Sequence, residues 1–389
     1  MDKFADIRPY NNAEVPQVLQ RLLGDAEFIE AISRLKFKDA GNLLRALLRP
    51  VVRWALKREL KGVADVKALQ TVIERYMSAM IEDATSGFTV SGLEYLQPGQ
   101  AYALMSNHRD ITLDPAFTNY ALFNNQRDTV RIAIGDNLLT KPYVSDLMRL
   151  NKSFIVKRSA KGPRQILKAY RDLSAYILHS VVEEGESIWI AQREGRAKDG
   201  VDRTEPAIIK MLAMSQDKQT QSFAEYIQTL KIVPVSISYE LDPCDGLKAA
   251  ELAALAETGS YEKAEDEDVA SIAAGIAGDK GQVHVAFGEP LSQPLDSPEA
   301  VAAALDKAII GNYALHDTNI YAYHRLYGAE APLPVDTTII SGSCSEQQFH
   351  ARIDALPASH RDVALGIYAN AIVSKLNQQS AEEPAGLAD

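Results

Sequence analysis

The chain has 389 residues, of which 46% are hydrophobic and 24% charged, and its formal net charge is −11. That composition is one of a soluble globular protein, not a collagenous or disordered chain, and its acidic balance opposes general nucleic-acid binding, since the average field repels a phosphate backbone. No window offers the ~18 uninterrupted apolar residues of a membrane span; residues 1–20 lack the basic start and apolar run of a signal peptide, which points to the cytoplasm.

Two cysteines, Cys244 and Cys344, form no metal-binding spacing, and a structural disulfide is not expected in that compartment. The length exceeds one ordinary domain of ~100–200 residues, so one large unit with appended elements is expected.

Residues 12–85 read as helices, giving a helical N-terminal domain over 1–90. Val15, Val18, Leu19 and Leu22 fall at helical spacing behind Asn caps. In the next segment, "NLLRALLRPVVRWALKRELKGV" (42–63), Leu43, Leu44, Leu47, Leu48, Val51, Val52, Ala55 and Leu56 face away from Arg45, Arg49, Arg53 and Lys57. Pro50 should break or kink this helix, or begin a second one. Such a basic amphipathic stretch lies in a membrane interface with Trp54 as anchor, or, as is commoner, packs its apolar face into a bundle core. A third helix, roughly 63–84, ends before the turn residues "TSGF".

From there short apolar runs alternate with helical stretches, which predicts an α/β domain over 91–300 with a mixed sheet covered by helices. The expected strands are 100–107, 129–135, 153–158, 187–192, 231–239 and 282–288. Pro234, inside the fifth, points to an edge or a strained position. Between the fifth and sixth an acidic insertion, about 245–275, contains "EKAEDEDVA" (262–270) and reads as mobile. Residues 301–389 form a helical C-terminal region with a frayed tail, "LNQQSAEEPAGLAD". His316 and His324, in an aromatic-rich stretch, read as packing residues. There is no internal repeat and no glycine-rich phosphate loop.

Ligands of open α/β sheets bind outside the carboxyl ends of strands. The first strand runs into "SNHRDITLDP" (106–115), the third into Lys157 and Arg158, and the fourth into "QREGRAKDGVDR" (192–203). A histidine beside a carboxylate is a means of making a base that works near neutral pH. Taken alone, His108 is as readily a satisfied turn residue with Asp114 capping a helix. The kinase catalytic loop that "HRD" resembles requires an asparagine where Pro115 stands, and no second histidine lies at ligand spacing for a metal. Between Arg149 and Arg171 there are eight Lys or Arg and no Asp or Glu. Such a run is either a solvated face or a surface for an anionic partner.

Taken in order, "SNHRDITLDP", "SFIVKR", "IAQREGRAKDG" and "IVPVSI" resemble the four blocks of the glycerolipid acyltransferase family, over about 140 residues from 104 to 239. The helical leader makes the soluble plastid-type glycerol-3-phosphate acyltransferases the nearest in look. The family's first block places four residues between His and Asp, whereas five separate His108 from Asp114. Either the turn holds an extra residue and Asp114 faces the histidine, or Asp110 takes the role; Asp114, followed by Pro115 and apolar residues, fits the family context better.

The resemblance implies acyl transfer from acyl-CoA or acyl carrier protein to a hydroxyl of glycerol-3-phosphate or 1-acyl-glycerol-3-phosphate. His108 is the base it implies, Asp114 or Asp110 the partner, with no covalent acyl-enzyme and no cofactor beyond the donor substrate. The substrate-binding residues it implies are Asn107, Arg109, Arg158, Arg193, Glu194, Gly195, Arg196, Lys198 and Pro234, the guanidiniums being suited to a phosphate. The basic run would meet the CoA phosphates, the acidic carrier or anionic lipid, and residues 42–61 would make any peripheral membrane contact. A non-phosphorylated lipid acceptor, or a catalytically inactive relative binding lipid or carrier protein, are the alternatives.

Overall fold

The computed structural model describes residues 2–37, 41–264 and 267–382. In chain order its elements are α1 (Val15–Gly24), α2 (Ala26–Lys36), α3 (Asn42–Glu59), α4 (Val66–Ala84), β1 (Gly87–Ser91), β2 (Ala103–Ser106), α5 (Leu113–Asn124), β3 (Arg131–Gly135), α6 (Pro142–Leu150), β4 (Ser153–Val156), α7 (Pro163–Leu178) and β5 (Ile188–Ala191). There follow α8 (Pro206–Leu212), α9 (Phe223–Thr229), β6 (Ile232–Tyr239), α10 (Asp245–Thr258), α11 (Glu267–Ala277), β7 (Gln282–Phe287), α12 (Pro298–Asn312), β8 (Leu315–His316), α13 (Asp317–Tyr327), β9 (Ile339–Ile340), α14 (Glu346–Asp354) and α15 (Ala358–Glu382).

Packing divides the chain into two units, one of residues 1–78 with 130–179 and one of 79–129 with 180–389. Linear boundaries near 90 and 300 do not describe this division. β3, α6, β4 and α7 fall in the same unit as the first helices, and the C-terminal helices in the same unit as β1, β2, β5, β6 and β7.

In the first unit the apolar positions of α1 bury Val15, Val18, Leu19 and Leu22 against Phe28 and Ile29 of α2, Val52 and Leu56 of α3, and Leu150 of α6. Asp25 starts α2 by accepting the Phe28 N–H at 2.9 Å, satisfying one of the helix's unpaired donors. β3 and β4 pair in parallel, Ile132 opposite Ser153 through Gly135 opposite Val156. α3 passes through Pro50 as one helix, not as two. Nor does it bury the whole apolar set read from its sequence: Val52 and Leu56 go inward, while Leu43, Leu47 and Trp54 are 80%, 68% and 61% exposed, with Leu44 and Val51 beside them. At 100° per residue these five share one stripe, opposite the buried pair.

In the second unit the strands run in the order β1-β7-β6-β2-β5. β6 is parallel to β2, β2 to β5 and β1 to β7, while β6 and β7 are antiparallel. The sheet is therefore mixed, with α12 packed on β6 and α5 on β7. All eight residues of β6 and all four of β2 are buried, as expected of strands covered on both faces. β2, β5 and β6 consequently end on the same side.

Pro234 lies not at an edge but in β6, an interior strand. Its carbonyl accepts the Gly288 N–H at 2.8 Å, and the ladder to β7 stops one residue on, at Val235 opposite Phe287. Proline's missing N–H thus falls at the very end of the antiparallel ladder, where the bond from Gly288 is made without a reciprocal one and the rest of the ladder is left intact.

The acidic insertion is likewise not a loose connection. α10 and α11 occupy it, with Glu267 and Asp268 in the first turn of α11, where carboxylates favour the positive end of the helix dipole. Residues 265 and 266 of the acidic run lie outside the described residues. The tail expected to fray remains helical in α15 as far as Glu382, and 383–389 lie outside the described residues. α13, α14 and α15 share a core with α10 through Ala249, Tyr323, Phe349, Leu365 and Tyr368. Among the described residues no helix is long and apolar enough to cross a membrane.

Candidate active site

β2 delivers Asn107 and His108 at its carboxyl end, and α5 begins five residues after the histidine. The turn between them is organised by Asp110, whose Oδ1 accepts the N–H groups of Thr112 and Leu113 at 2.9 and 2.8 Å. This takes up donors that the first turn of a helix leaves unpaired. It also absorbs the extra residue in the turn, so that Asp114, in the first turn of α5, reaches back to the histidine.

His108 Nδ1 lies 2.8 Å from Asp114 Oδ2. The same oxygen accepts the backbone N–H of Arg109 at 2.6 Å and of Asp110 at 3.0 Å, and Oδ1 accepts the Tyr239 hydroxyl at 2.6 Å. Asp114 is wholly buried. Its oxygens only accept, so Nδ1 carries the proton and Nε2 is the basic nitrogen. Among the described residues Nε2 has no hydrogen-bond partner. The ring stands edge-on to Trp189 of β5, centroids 5.9 Å apart. Geometry thus sets Asp114, and not Asp110, against His108. Burial, and then Asp114, push the Asp110 carboxyl above its usual range. α11 packs directly on it: a Cβ at Gly275 would stand 2.2 Å from Asp110 Oδ2, so only glycine fits there.

The loop after β5 lies alongside. Gln192 N–H donates to the Ser106 carbonyl and Ala197 N–H to the His108 carbonyl, each at 2.8 Å. Gly195 turns at φ +73°, a left-handed conformation that favours glycine. Glu194 and Gly195 are exposed. Arg196 touches only Ser271 Oγ, at 3.4 Å, and has no carboxylate partner among the described residues. Arg193 keeps a loose 3.9 Å approach to Glu205.

Three residues expected to bind substrate are otherwise engaged. Asn107 is buried, its amide donating to the Ile237 carbonyl and Asp202 at 3.0 and 3.2 Å and accepting the Ile237 N–H at 2.8 Å. Arg109 turns inward to Asp202 Oδ2 at 2.7 Å and the Gly200 carbonyl at 3.1 Å, over the Tyr313 ring. Lys198 is paired with Glu251 of α10. The physical reason is shared: each has a protein partner that uses its polar atoms, and for Asn107 and Arg109 burial leaves no face for a ligand. Pro234, inside β6, offers none either. Arg158 belongs to the other unit, where its N–H donates to Asp136 Oδ1 at 3.0 Å just beyond β4.

Sequence reasoning missed Tyr239, Asp202, Lys248 and Gly275. Lys248 is buried, donates to the Arg109 carbonyl at 2.8 Å and pairs with Asp242. Asp202 sits in the polar stretch singled out after the fourth expected strand and Tyr239 ends the fifth, so both were in view as residue types.

Arg109→Ala would strand the Asp202 carboxylate in the interior, and breaking a buried pair from one side costs about 3–5 kcal/mol. A denaturant titration should show that loss. An unchanged midpoint would mean that Arg109 is not locked in the loop.

Residues 87–238 match the family model described as Acyltransferase. Among solved structures the chain is similar to the crystal structure of the 1-acyl-sn-glycerophosphate (LPA) acyltransferase PlsC from Thermotoga maritima, with 14% identity and a TM-score of 0.37 over 63% of this chain and 78% of that one. No curated protein sequence matches. The matched segment holds the His108–Asp114 pair and the Arg196 loop, ends one residue before Tyr239, and is similar to the acyltransferase family whose glycerolipid members the four sequence blocks resemble.

Proposed function

We propose that the protein transfers a fatty acyl group from a thioester, acyl-CoA or acyl carrier protein, to a hydroxyl of glycerol-3-phosphate or 1-acyl-glycerol-3-phosphate. The observation that carries this reading is a histidine whose Nδ1 is fixed on a buried carboxylate and whose Nε2 is unpartnered, with the Arg196 guanidinium on a loop hydrogen-bonded to the histidine's own backbone.

The chemistry follows from that arrangement. His108 Nε2 takes the proton of the acceptor hydroxyl as its oxygen attacks the thioester carbonyl, and Asp114 stabilises the imidazolium that forms. Collapse of the tetrahedral species breaks the carbon–sulfur bond, and the departing thiolate takes the proton from His108. The acceptor hydroxyl is the nucleophile, so no acyl-enzyme forms and no cofactor is required. Arg196, with Arg193, holds the acceptor phosphate, while Glu194 and Gly195 shape the loop; Lys198 is set aside by its pairing with Glu251. In the first unit, the basic run ending at Arg171 suits an anionic partner.

The exposed stripe of α3 suits a peripheral contact with the cytoplasmic face of a membrane. Leu43, Leu44, Leu47, Val51 and Trp54 supply the apolar side, Arg53, Lys57 and Arg58 flank it, and Arg58 lies over the Trp54 ring at 5.6 Å.

Thioester consumption should require an acceptor bearing a phosphate, fall by about 10²–10⁴-fold in His108→Ala, and show a raised acceptor KM in Arg196→Ala. Turnover on non-phosphorylated acceptors alone, or none with any pair while lipid still binds, would replace this reading. The protein should sediment with anionic phospholipid vesicles, and Leu47→Glu with Trp54→Glu should abolish this, each buried apolar side chain contributing ~1.5–3 kcal/mol. Undiminished binding of that double variant would remove α3 as the contact.

A further inference from the structure

Asp114 has two oxygens with different company. Oδ2 faces His108 and two backbone N–H groups, whereas Oδ1 is held, among the described residues, by the Tyr239 hydroxyl alone. A carboxylate turns about its last torsion in a broad, two-fold well. The three donors on the Oδ2 side hold one oxygen only. Tyr239 fixes the other, and with it the plane of the group that faces the histidine, from a separate and rigid element. It ends β6, whose residues are buried throughout, and its ring stands edge-on to Phe117 of α5 with centroids 5.8 Å apart, so the hydroxyl is not free to swing.

We propose that Tyr239 is a positioning residue of the acyl-transfer site, acting through Asp114 to hold the His108 ring in the tautomer and orientation that leave Nε2 basic and aimed outward. The catalytic consequence rests on the function proposed above; the geometry does not.

The surroundings favour the direction of this hydrogen bond. Burial, and then the charges of Asp114 and Asp110, keep the phenol neutral far above its usual range, so it donates and does not ionise. The other charged groups nearby are occupied: Asp242 is paired with Lys248, and Lys280 donates to the Gly278 carbonyl at 2.6 Å, closing the end of α11. None of them supplies a donor to Oδ1.

The test pairs kinetics with a readout that does not need turnover. In Tyr239→Phe, kcat should fall about 10-fold, the weight of one lost hydrogen bond to a charged group, with both KM values little changed. In an Asp114→Asn background the same substitution should cost nothing further, because the two act as one unit. With ¹⁵N-labelled histidine, the slowly exchanging His108 Nδ1–H signal, identified by its loss in His108→Ala, should exchange faster in Tyr239→Phe. The Tyr239 ring Cζ resonance should differ between the unaltered protein and Asp114→Asn, a comparison that stands even if Tyr239→Phe does not fold. An unchanged Nδ1–H exchange rate, an unchanged Cζ shift, or equal kinetic losses in both backgrounds would overturn the assignment. Absence of all turnover together with altered exchange and Cζ shift would instead fault the proposed reaction and leave the positioning role supported.

Discussion

A buried carboxylate must collect hydrogen bonds or lose its charge, and the active-site end of the second unit is arranged around that requirement at Asp114. Desolvating an ionised carboxylate costs several kcal/mol, which only well-placed donors repay. Asp114 gathers four: the His108 ring, the N–H groups of Arg109 and Asp110, and the Tyr239 hydroxyl. These come from the end of β2, the turn before α5 and the end of β6. The carboxylate is thus the point where three segments are held in register, and the histidine's orientation is one result of that constraint.

Asp202 repeats the arrangement one step away. By binding Arg109 and Asn107 it ties the loop after β5 to the turn after β2, and the Ala197–His108 backbone bond does the same at closer range. Arg196 is next to Ala197 in the chain, so its backbone is anchored beside that of the histidine. Lys248 and α11 seal the far side, on the Arg109 carbonyl and Asp110. What read as a mobile acidic insertion therefore packs, through α10 and α11, against the turn that follows His108.

The six expected strands all appear, and β2 and β6 were the most legible because strands buried on both faces read as unbroken apolar runs. β1 escaped because it is a short edge strand opening on Gly87, inside what looked like a turn. The blocks were legible as residue types, but the direction each side chain takes was not. Arg109 and Arg196 look alike in sequence, yet one is locked on Asp202 and the other has no carboxylate partner among the described residues. Lys198 is neutralised by Glu251, more than fifty residues on, and no local pattern announces such a pairing. Asp110 and Asp114 could not be separated by spacing, since the answer lay in how Asp110 caps the turn. In α10 and α11 the acidic run masked small apolar residues at helical spacing, and the need for glycine at 275 exists only once Asp110 stands against it.

In the proposed reaction His108, held by Asp114, activates the acceptor's own hydroxyl, so that both substrates occupy the site together. Two-substrate initial-rate kinetics with a labelled acyl thioester tests this most directly. Direct transfer should give intersecting double-reciprocal lines and no label retained on denatured protein after incubation with the donor alone. Parallel lines, with acyl label fixed to the protein, would mean a covalent acyl-enzyme instead.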